Sequence, residues 1–520
     1  MIQLPLSDEY RLVVCASAQR GADDAAVRLG TPNVVLMDGA GTAAARWMLA
    51  NLRMERVTVL AGRGGNGGDG LVVARRLIET DIPVRTFVAS PYERLSETAR
   101  DMADRLLTVA PESSVSFAAD LEFTAEAIDT SSHVVDALLG SGLNRPVDGK
   151  YRALVRAING SDRPTISLDI PSGLPSDSGR SIGEAVRADV TLAMAFFKPA
   201  HLLYPAARSC GTVVPVDVPY PAEAIVSIDS MASVIGPVGA ARRLPVRPPD
   251  GHKGTFGRVL IVAGSRGMLG AAVLCSRAAL RAGAGLVTLA APESLCGAAA
   301  SAVPEALTLP LPEHDGHVAQ TAVAVLSRSS ADVCAIGPGL SRHEDVQAVV
   351  RETVAAFQGP IVVDADALFA LHNDKAALRQ AADRVILTPH SGEMGRLIGR
   401  SPGEVDENRL DVARTFIEDT GVVLLLKGRP TVIGCPNGPT WLNPTGNDGL
   451  ATGGTGDVLT GLVAGLLANG ASRLDAAILG AYIHGACADR YAGNVAARSL
   501  TAGDLVDRIP VVLKELEACD

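Results

Sequence analysis

VTVLAGRGGNGGDGLVVARRLIE, residues 57–79, decides the fold of the first part of the chain. Its opening apolar run, 57–62, has the length and β-branched content of a buried strand, and glycines follow as a loop. From 71 to 79 the apolar residues recur at helical spacing, so the whole stretch reads as a βα unit. Working outward, strand patterns at 84–88, 133–139, 165–170, 190–195 and 212–218 alternate with helical patterns at 94–107 and 151–159. That alternation predicts an α/β domain, a mainly parallel sheet with helices on both faces.

Between about 219 and 257 the pattern loosens into PYPAEA and RRLPVRPPDGHKGTFG, where prolines remove backbone donors and interrupt regular structure. A boundary near 225 is expected, with domains at 1–222 and 226–520. A second βα series opens with RVLIVAG (258–264), the loop SRGMLG and a helix over 271–281. Its strands continue at 286–291, 333–337, 361–364, 385–388 and 422–427. The chain then enters NPTGNDGLATGGTGDVLTGLVAGLLANG (443–470), a glycine-dense loop running into a small-residue helix, and a last helical pattern covers 474–491. A length of 520 residues suits two such cores better than one.

A formal net charge of −10 without clustered Lys and Arg argues against nucleic acid or an anionic membrane as partner. The eight cysteines are dispersed with no C-x-x-C pair, so neither a zinc site nor a disulfide framework is expected from them. MIQLPLSDEYRLVV lacks the basic and apolar regions of a signal peptide, and no apolar run reaches the eighteen or so residues of a membrane span. A cytoplasmic protein is the expectation. Small-residue helices such as 459–468 would pack closely against something, and a homo-oligomer is the assembly expected.

In GGTGD (453–457) glycines can expose successive backbone N–H groups at a helix start, a natural seat for phosphate. A carboxylate at the mouth of such a seat repels its ligand unless it takes a proton from a hydroxyl being phosphorylated, which makes Asp457 a candidate general base. The alternative is a helix cap, a role aspartate fills well at about 1 kcal/mol. Lys427 ends a buried strand and so projects from the sheet's carboxyl edge, where α/β ligands collect, unless it is only a solvated strand end. His390 after Pro389 can position a hydroxyl or a phosphate, or serve structure alone.

HKGTFGRVLIVAGSRGMLGAA, LRAGAGLVTLA, IGPGL, VVDADAL, LTPHSGEM, KGRPT and NPTGNDGLATGGTGDVLTG together resemble the ADP-dependent NAD(P)H-hydrate dehydratase family of the ribokinase-like α/β fold, over residues 226–510. The resemblance implies that Lys427, Gly428, Arg429, Pro430 and Thr431, with Gly456, line the adenine nucleotide. It implies that Ala271, Gly339, His390 and Asp457 face the hydrated dinucleotide. The chemistry implied is activation of the ring hydroxyl by the β-phosphate of ADP and elimination to the dihydropyridine, leaving AMP and phosphate, with magnesium neutralising the transferred charge. Asp448 stands where the family commonly has proline.

In the first domain GRGGNGGDG (62–70) can likewise cradle phosphate, and Asn66 and Asp69 add oxygens that a pure phosphate loop lacks. VVDALLGSGLNRPV (134–147) and SLDIPSGL (167–174) each bring an aspartate and a tight loop to the same sheet edge. Oxygens of Asn66, Asp136 and Ser172 suit a hard monovalent ion better than zinc. Asp169 is either an acid/base group or a turn aspartate bonding backbone before Pro171.

This constellation resembles the NAD(P)H-hydrate epimerase family, a Rossmann-like three-layer αβα sheet, over residues 10–220. The resemblance implies potassium at Asn66, Asp136 and Ser172, and Asp169 at the reacting centre. Substrate contacts are implied for Gly65, Asn66, Gly67, Gly68 and Asp69, and for Gly140, Ser141, Gly142, Leu143, Asn144, Arg145 and Pro146. Gly65 stands where the family usually has asparagine, which removes one such contact. The reading is therefore a bifunctional repair enzyme acting on hydrated NADH and NADPH (NADHX, NADPHX) with ADP as co-substrate. Its rivals are a ribokinase-like kinase of a small molecule carrying an N-terminal nucleotide-binding module, and a first domain that only senses nicotinamide nucleotides.

Overall fold

In a computed structural model of the chain every residue is described except 1, 3, 5–8, 119, 227, 373 and 520, so part of the opening segment read above lies outside the described residues. The chain divides into two compact units, with the division falling between Ala232 and Ser233 and with Glu9 and Tyr10 counted in the second.

The first unit is a seven-stranded sheet of β1 (Val57–Ala61), β2 (Val84–Val88), β3 (Val115–Phe117), β4 (His133–Ala137), β5 (Thr165–Leu168), β6 (Val190–Met194) and β7 (Thr212–Val216). Their order is β3-β2-β1-β4-β5-β6-β7, every pair parallel. Successive side chains of a strand point to opposite faces. Accordingly Val57, Val59 and Ala61 enter one core with the helices Asn33–Asn51, Gly65–Ile78 and Glu97–Leu107, while Leu60 enters another with Leu154, Val155 and Ile158 of Gly149–Gly160. Both faces are covered, as the continuous apolar runs require.

Strand order reverses between β1 and β4, and the loops after them meet there. A Cβ on Gly62 would lie 1.9 Å from the Leu138 carbonyl oxygen, so only glycine fits. The helix after β1 begins at Gly65, six residues before the pattern of apolar residues announces it, so Asn66 to Asp69 are helical where a loop was expected. The glycines hide the start because their role is close approach: a Cβ on Gly67 would lie 2.1 Å from the Gly62 carbonyl oxygen.

The second unit contains β8 (Ala232–Ile235), β9 (Arg258–Val262), β10 (Leu286–Pro292), β11 (Leu307–Leu311), β12 (Val333–Ile336), β13 (Ile361–Val363), β14 (Val385–Leu387), β15 (Val423–Leu426), β16 (Thr431–Gly434) and β17 (Trp441–Asn443). They run in the order β8-β17-β16-β15-β14-β13-β12-β9-β10-β11. From β15 to β11 the pairs are parallel, whereas β16 pairs antiparallel with both β15 and β17. These last two strands escaped the sequence reading because both are short and only a few residues separate β15 from β16.

Helix Thr455–Ala468 packs on helix Leu269–Arg281 through small residues. A Cβ on Gly461 would lie 2.0 Å from the Cys275 carbonyl oxygen and one on Gly465 2.6 Å from that of Ala279, so backbone meets backbone. No described helix is long and apolar enough to cross a membrane. Gly461→Ala forces these two helices apart and is expected to destabilise the second unit by about 1–3 kcal/mol, read as a lower thermal midpoint by circular dichroism.

Candidate active sites

In the first unit a cavity of about 970 Å³ opens at the carboxyl edge around the β1/β4 reversal, the place where open α/β sheets bind ligands. Gly65, Asn66, Gly67 and Asp69 line it, as do Asp169 and the segment 140–146 apart from Asn144. Asn144 is exposed and outside the lining. Gly68 is not among the lining residues; a Cβ there would lie 2.3 Å from the sulfur of Met37, which itself borders the cavity.

Asp169 follows β5 with φ 60°, a positive angle uncommon outside glycine though better tolerated by aspartate than by most residues. Its carboxylate does not fasten the turn before Pro171; it pairs with Lys198, which is 0% exposed. The Lys198 ammonium also reaches the carbonyl oxygens of Phe196 at 3.2 Å and Met194 at 3.4 Å. His201 Nδ1 accepts from the Lys198 amide at 3.1 Å, leaving Nε2–H to donate to the Asp169 carbonyl at 2.7 Å. Burial first, and then Lys198, pull this imidazole down to about 4, so it stays neutral and fixed. Burial, reinforced by Asp169 and Asp23, pushes Asp69 well above the usual carboxylate range. One cavity thus faces a carboxyl held toward its protonated form and a carboxylate paired with an ammonium. Lys198 and His201 were missed by the sequence reading; their signal is a cation and an imidazole inside the apolar run AMAFFKPAHLLY, 193–204.

Beside the cavity, Asp136 is fully buried and accepts from Ser167 Oγ at 2.8 Å, the Ser172 amide at 2.9 Å, Ser172 Oγ at 2.6 Å and the Leu138 amide at 3.3 Å. Burial nevertheless pushes its pKa up. Asn66 Nδ2 donates to the Leu139 carbonyl at 2.9 Å, while Asn66 Oδ1 is buried without a hydrogen-bond partner. An orphaned carbonyl oxygen beside a serine hydroxyl and a buried carboxylate fits a hard, oxygen-seeking cation.

In the second unit Lys427 follows β15 and its ammonium lies 2.7 Å from Asp364 Oδ1, just after β13, and 3.9 Å from Glu393. Thr460 Oγ1 donates to Asp364 Oδ2 at 2.7 Å, tying the pair to helix Thr455–Ala468. Burial lowers the Lys427 pKa, but Asp364 and Glu393 outweigh it and the net direction is upward. The helix N-cap is Gly454, and among the described residues the Asp457 carboxylate has no hydrogen bond to the helix start, which removes the cap reading. Gly456 lies close by: a Cβ there would be 3.3 Å from the Lys427 ammonium.

Burial, then Asp364, raises Asp457 from 3.8 to about 6; Lys427 opposes, and Asp366 and Glu393 add to the rise. His390 caps helix Ser391–Ile398, its Nδ1 accepting from the Gly392 amide at 2.9 Å, and its side chain is mostly exposed with Nε2 3.5 Å from Glu393. The loop after β15 is pinned from behind by buried Arg409, which donates to the carbonyls of Leu426, Lys427 and Pro430. Gly428 and Arg429 face solvent on that loop, Pro430 is buried, and Thr431 opens β16. Ala271 and Gly339 adjoin at the β9/β12 reversal, where Ser265 Oγ donates to the Gly339 carbonyl at 2.8 Å. Asp448 is exposed on a short turn. Asp364 and Glu393 sit in stretches quoted above without a role being assigned to them.

A family model described as NAD(P)H-hydrate dehydratase matches residues 259–511, and one described as YjeF-related protein N-terminus matches residues 33–200. A protein of Moorella thermoacetica named bifunctional NAD(P)H-hydrate repair enzyme is 39% identical over 500 residues, covering 94% of this chain and 93% of its own. A protein of the same name from Coxiella burnetii is 34% identical over 495 residues, covering 94% of this chain and 96% of its own. The Bacillus subtilis ADP/ATP-dependent NAD(P)H-hydrate dehydratase, crystallised with ATP and Mg²⁺, is 35% identical with a TM-score of 0.47, covering 54% of this chain and 97% of its own.

The folded state holds a proton on Asp457 more tightly than the unfolded chain does, so the ionised carboxylate opposes folding above about pH 6 and the penalty fades as pH falls toward 3.8. Asp457→Asn is therefore expected to stabilise the fold at pH 8 by at most about 3 kcal/mol, seen as a higher thermal midpoint, and to change it little at pH 4.

Proposed function

The chain belongs to the family of bifunctional NAD(P)H-hydrate repair enzymes, and from that premise we propose which of its residues carry each half of the repair. It is an isomerase and a lyase in one polypeptide: it epimerises hydrated NAD(P)H and dehydrates it to NAD(P)H with ADP as co-substrate, releasing AMP and phosphate.

The observation that carries the residue assignment is Asp457, a carboxylate in the first turn of a helix, free of capping bonds and raised to about 6. A base so tuned accepts a proton near neutral pH. As the β-phosphoryl group of ADP meets the ring hydroxyl, Asp457 takes the hydroxyl proton. Loss of phosphate and of a proton from the adjoining ring carbon then restores the dihydropyridine. Lys427, with Gly428, Arg429, Pro430, Thr431 and Gly456, holds the nucleotide, and Ala271, Gly339 and His390 hold the hydrate. Asp364, Asp366 and Glu393 all raise Asp457, so the site is rich in carboxylate and an incoming diphosphate needs a divalent companion. Magnesium suits those oxygens and, when bound, neutralises the transferred charge.

In the first unit the cavity is roomy enough for a dinucleotide, and Asp69 supplies the acid and Asp169 the base at the hydrated carbon. Lys198 holds the Asp169 carboxylate in place. Asn66, Ser172 and Asp136 hold potassium, which offsets the buried Asp136 charge when bound. Gly65 and the segment 140–146 receive the substrate.

Purified protein supplied with ADP converts both epimers of hydrated NADH to NADH. Asp457→Asn is expected to slow dehydration at least about 100-fold. Asp169→Asn is expected to leave one epimer unconsumed while the other is still dehydrated, followed by chiral separation of the residual hydrate. Replacing potassium by lithium slows epimer exchange. Accumulation of a phosphorylated product without return of the reduced dinucleotide, or unaltered epimer exchange in Asp169→Asn, overturns the assignment.

A further inference from the structure

The segment EHDGHV, 313–318, plays no part in either site above. Glu313–His314 and His317–Val318 form an antiparallel hairpin in which His314 stands directly opposite His317. The turn between them has φ 49° at Asp315 and 80° at Gly316, the paired positive angles of a two-residue hairpin turn whose twist matches its strands. Residues directly opposite in such a pair share a face, so the turn brings two imidazoles side by side. Gly316 also cannot be replaced cheaply, since a Cβ there would lie 2.7 Å from that of Arg266, whose amide donates to the Gly316 carbonyl at 2.7 Å.

A third group arrives from another element. Asp345 lies in the first turn of helix Glu344–Ala356, whose N-cap, His343, accepts from the Asp345 amide at 3.3 Å through Nδ1. The ligating atoms of His314, His317 and Asp345 all lie within 4.8 Å of one another. The His343 ring rests on that of His317, centroids 3.9 Å apart and planes at 35°, fixing its orientation. His317 Nε2 is buried without a hydrogen-bond partner, which ordinarily destabilises a fold.

We propose that His314, His317 and Asp345 form a binding site for one divalent ion of the zinc class, held by two imidazole nitrogens and a carboxylate. Calcium and magnesium prefer all-oxygen sets, whereas this donor set is that of zinc and its neighbours in the transition series. His314 is exposed, which leaves water free to complete the coordination. The cysteine spacing carried no sign of such a site because no thiolate takes part.

The test uses the full, tag-free chain stripped with a chelator and dialysed, then titrated with Zn²⁺ alone by calorimetry and with Co²⁺ by visible absorption. One ion per chain is expected, with Zn²⁺ displacing the Co²⁺ spectrum. His317→Ala, and independently His314→Asn at the exposed position, should weaken binding at least about tenfold with unchanged circular dichroism, while His252→Ala binds as wild type. Absence of binding to the wild-type chain, or full-strength binding by His314→Asn, overturns the proposal.

Discussion

Lys427 sits largely within the protein because Asp364 meets it there, and Asp364 is buried because Lys427 and Thr460 satisfy both its oxygens. Remove either partner and the other is left as an uncompensated charge, a loss of about 3–5 kcal/mol in comparable buried pairs. The pair spans the carboxyl ends of β13 and β15 and reaches helix Thr455–Ala468, so it sets the distance at which the glycine-rich helix start stands from the sheet. The first unit repeats the device with Lys198 and Asp169. The difference lies in which carboxylate remains open. In the first unit Asp169 itself faces the cavity, whereas in the second Asp364 is spent on the lysine and Asp457 stands in front of it.

That difference explains the electrostatics. Asp457 is raised to about 6 by burial and by a neighbouring carboxylate already committed elsewhere, so its basicity comes from crowding. Asp69 is raised by the same two causes, but its neighbour Asp169 is ion-paired and both face one space.

The two α/β series were legible because buried parallel strands read as apolar runs punctuated by glycine, and VTVLAG and RVLIVAG are of that kind. Asp457, Asp169 and Lys427 were legible because each follows or opens a regular element at the sheet's carboxyl edge. Lys198 and His201 were not, since their partnership with Asp169 joins strand ends 29 residues or more apart in sequence. Helix beginnings were misplaced wherever glycine replaced the expected apolar residue, as at Gly65, because glycine carries no face by which periodicity can be judged. The imidazole pair of the 313–318 hairpin has a local signal, D-G between two histidines, but its third member comes from a helix 28 residues beyond His317.

Gly65 is exposed at the first position of its helix, and a Cβ built there would meet nothing within 4 Å. No steric bar to a side chain exists at residue 65, unlike Gly62 and Gly67 on either side, where backbone crowds the place of a Cβ. Evolution is free to furnish or strip that spot without touching the scaffold. The spot borders the cavity, so its chemistry can be altered while the scaffold beneath stays as it is.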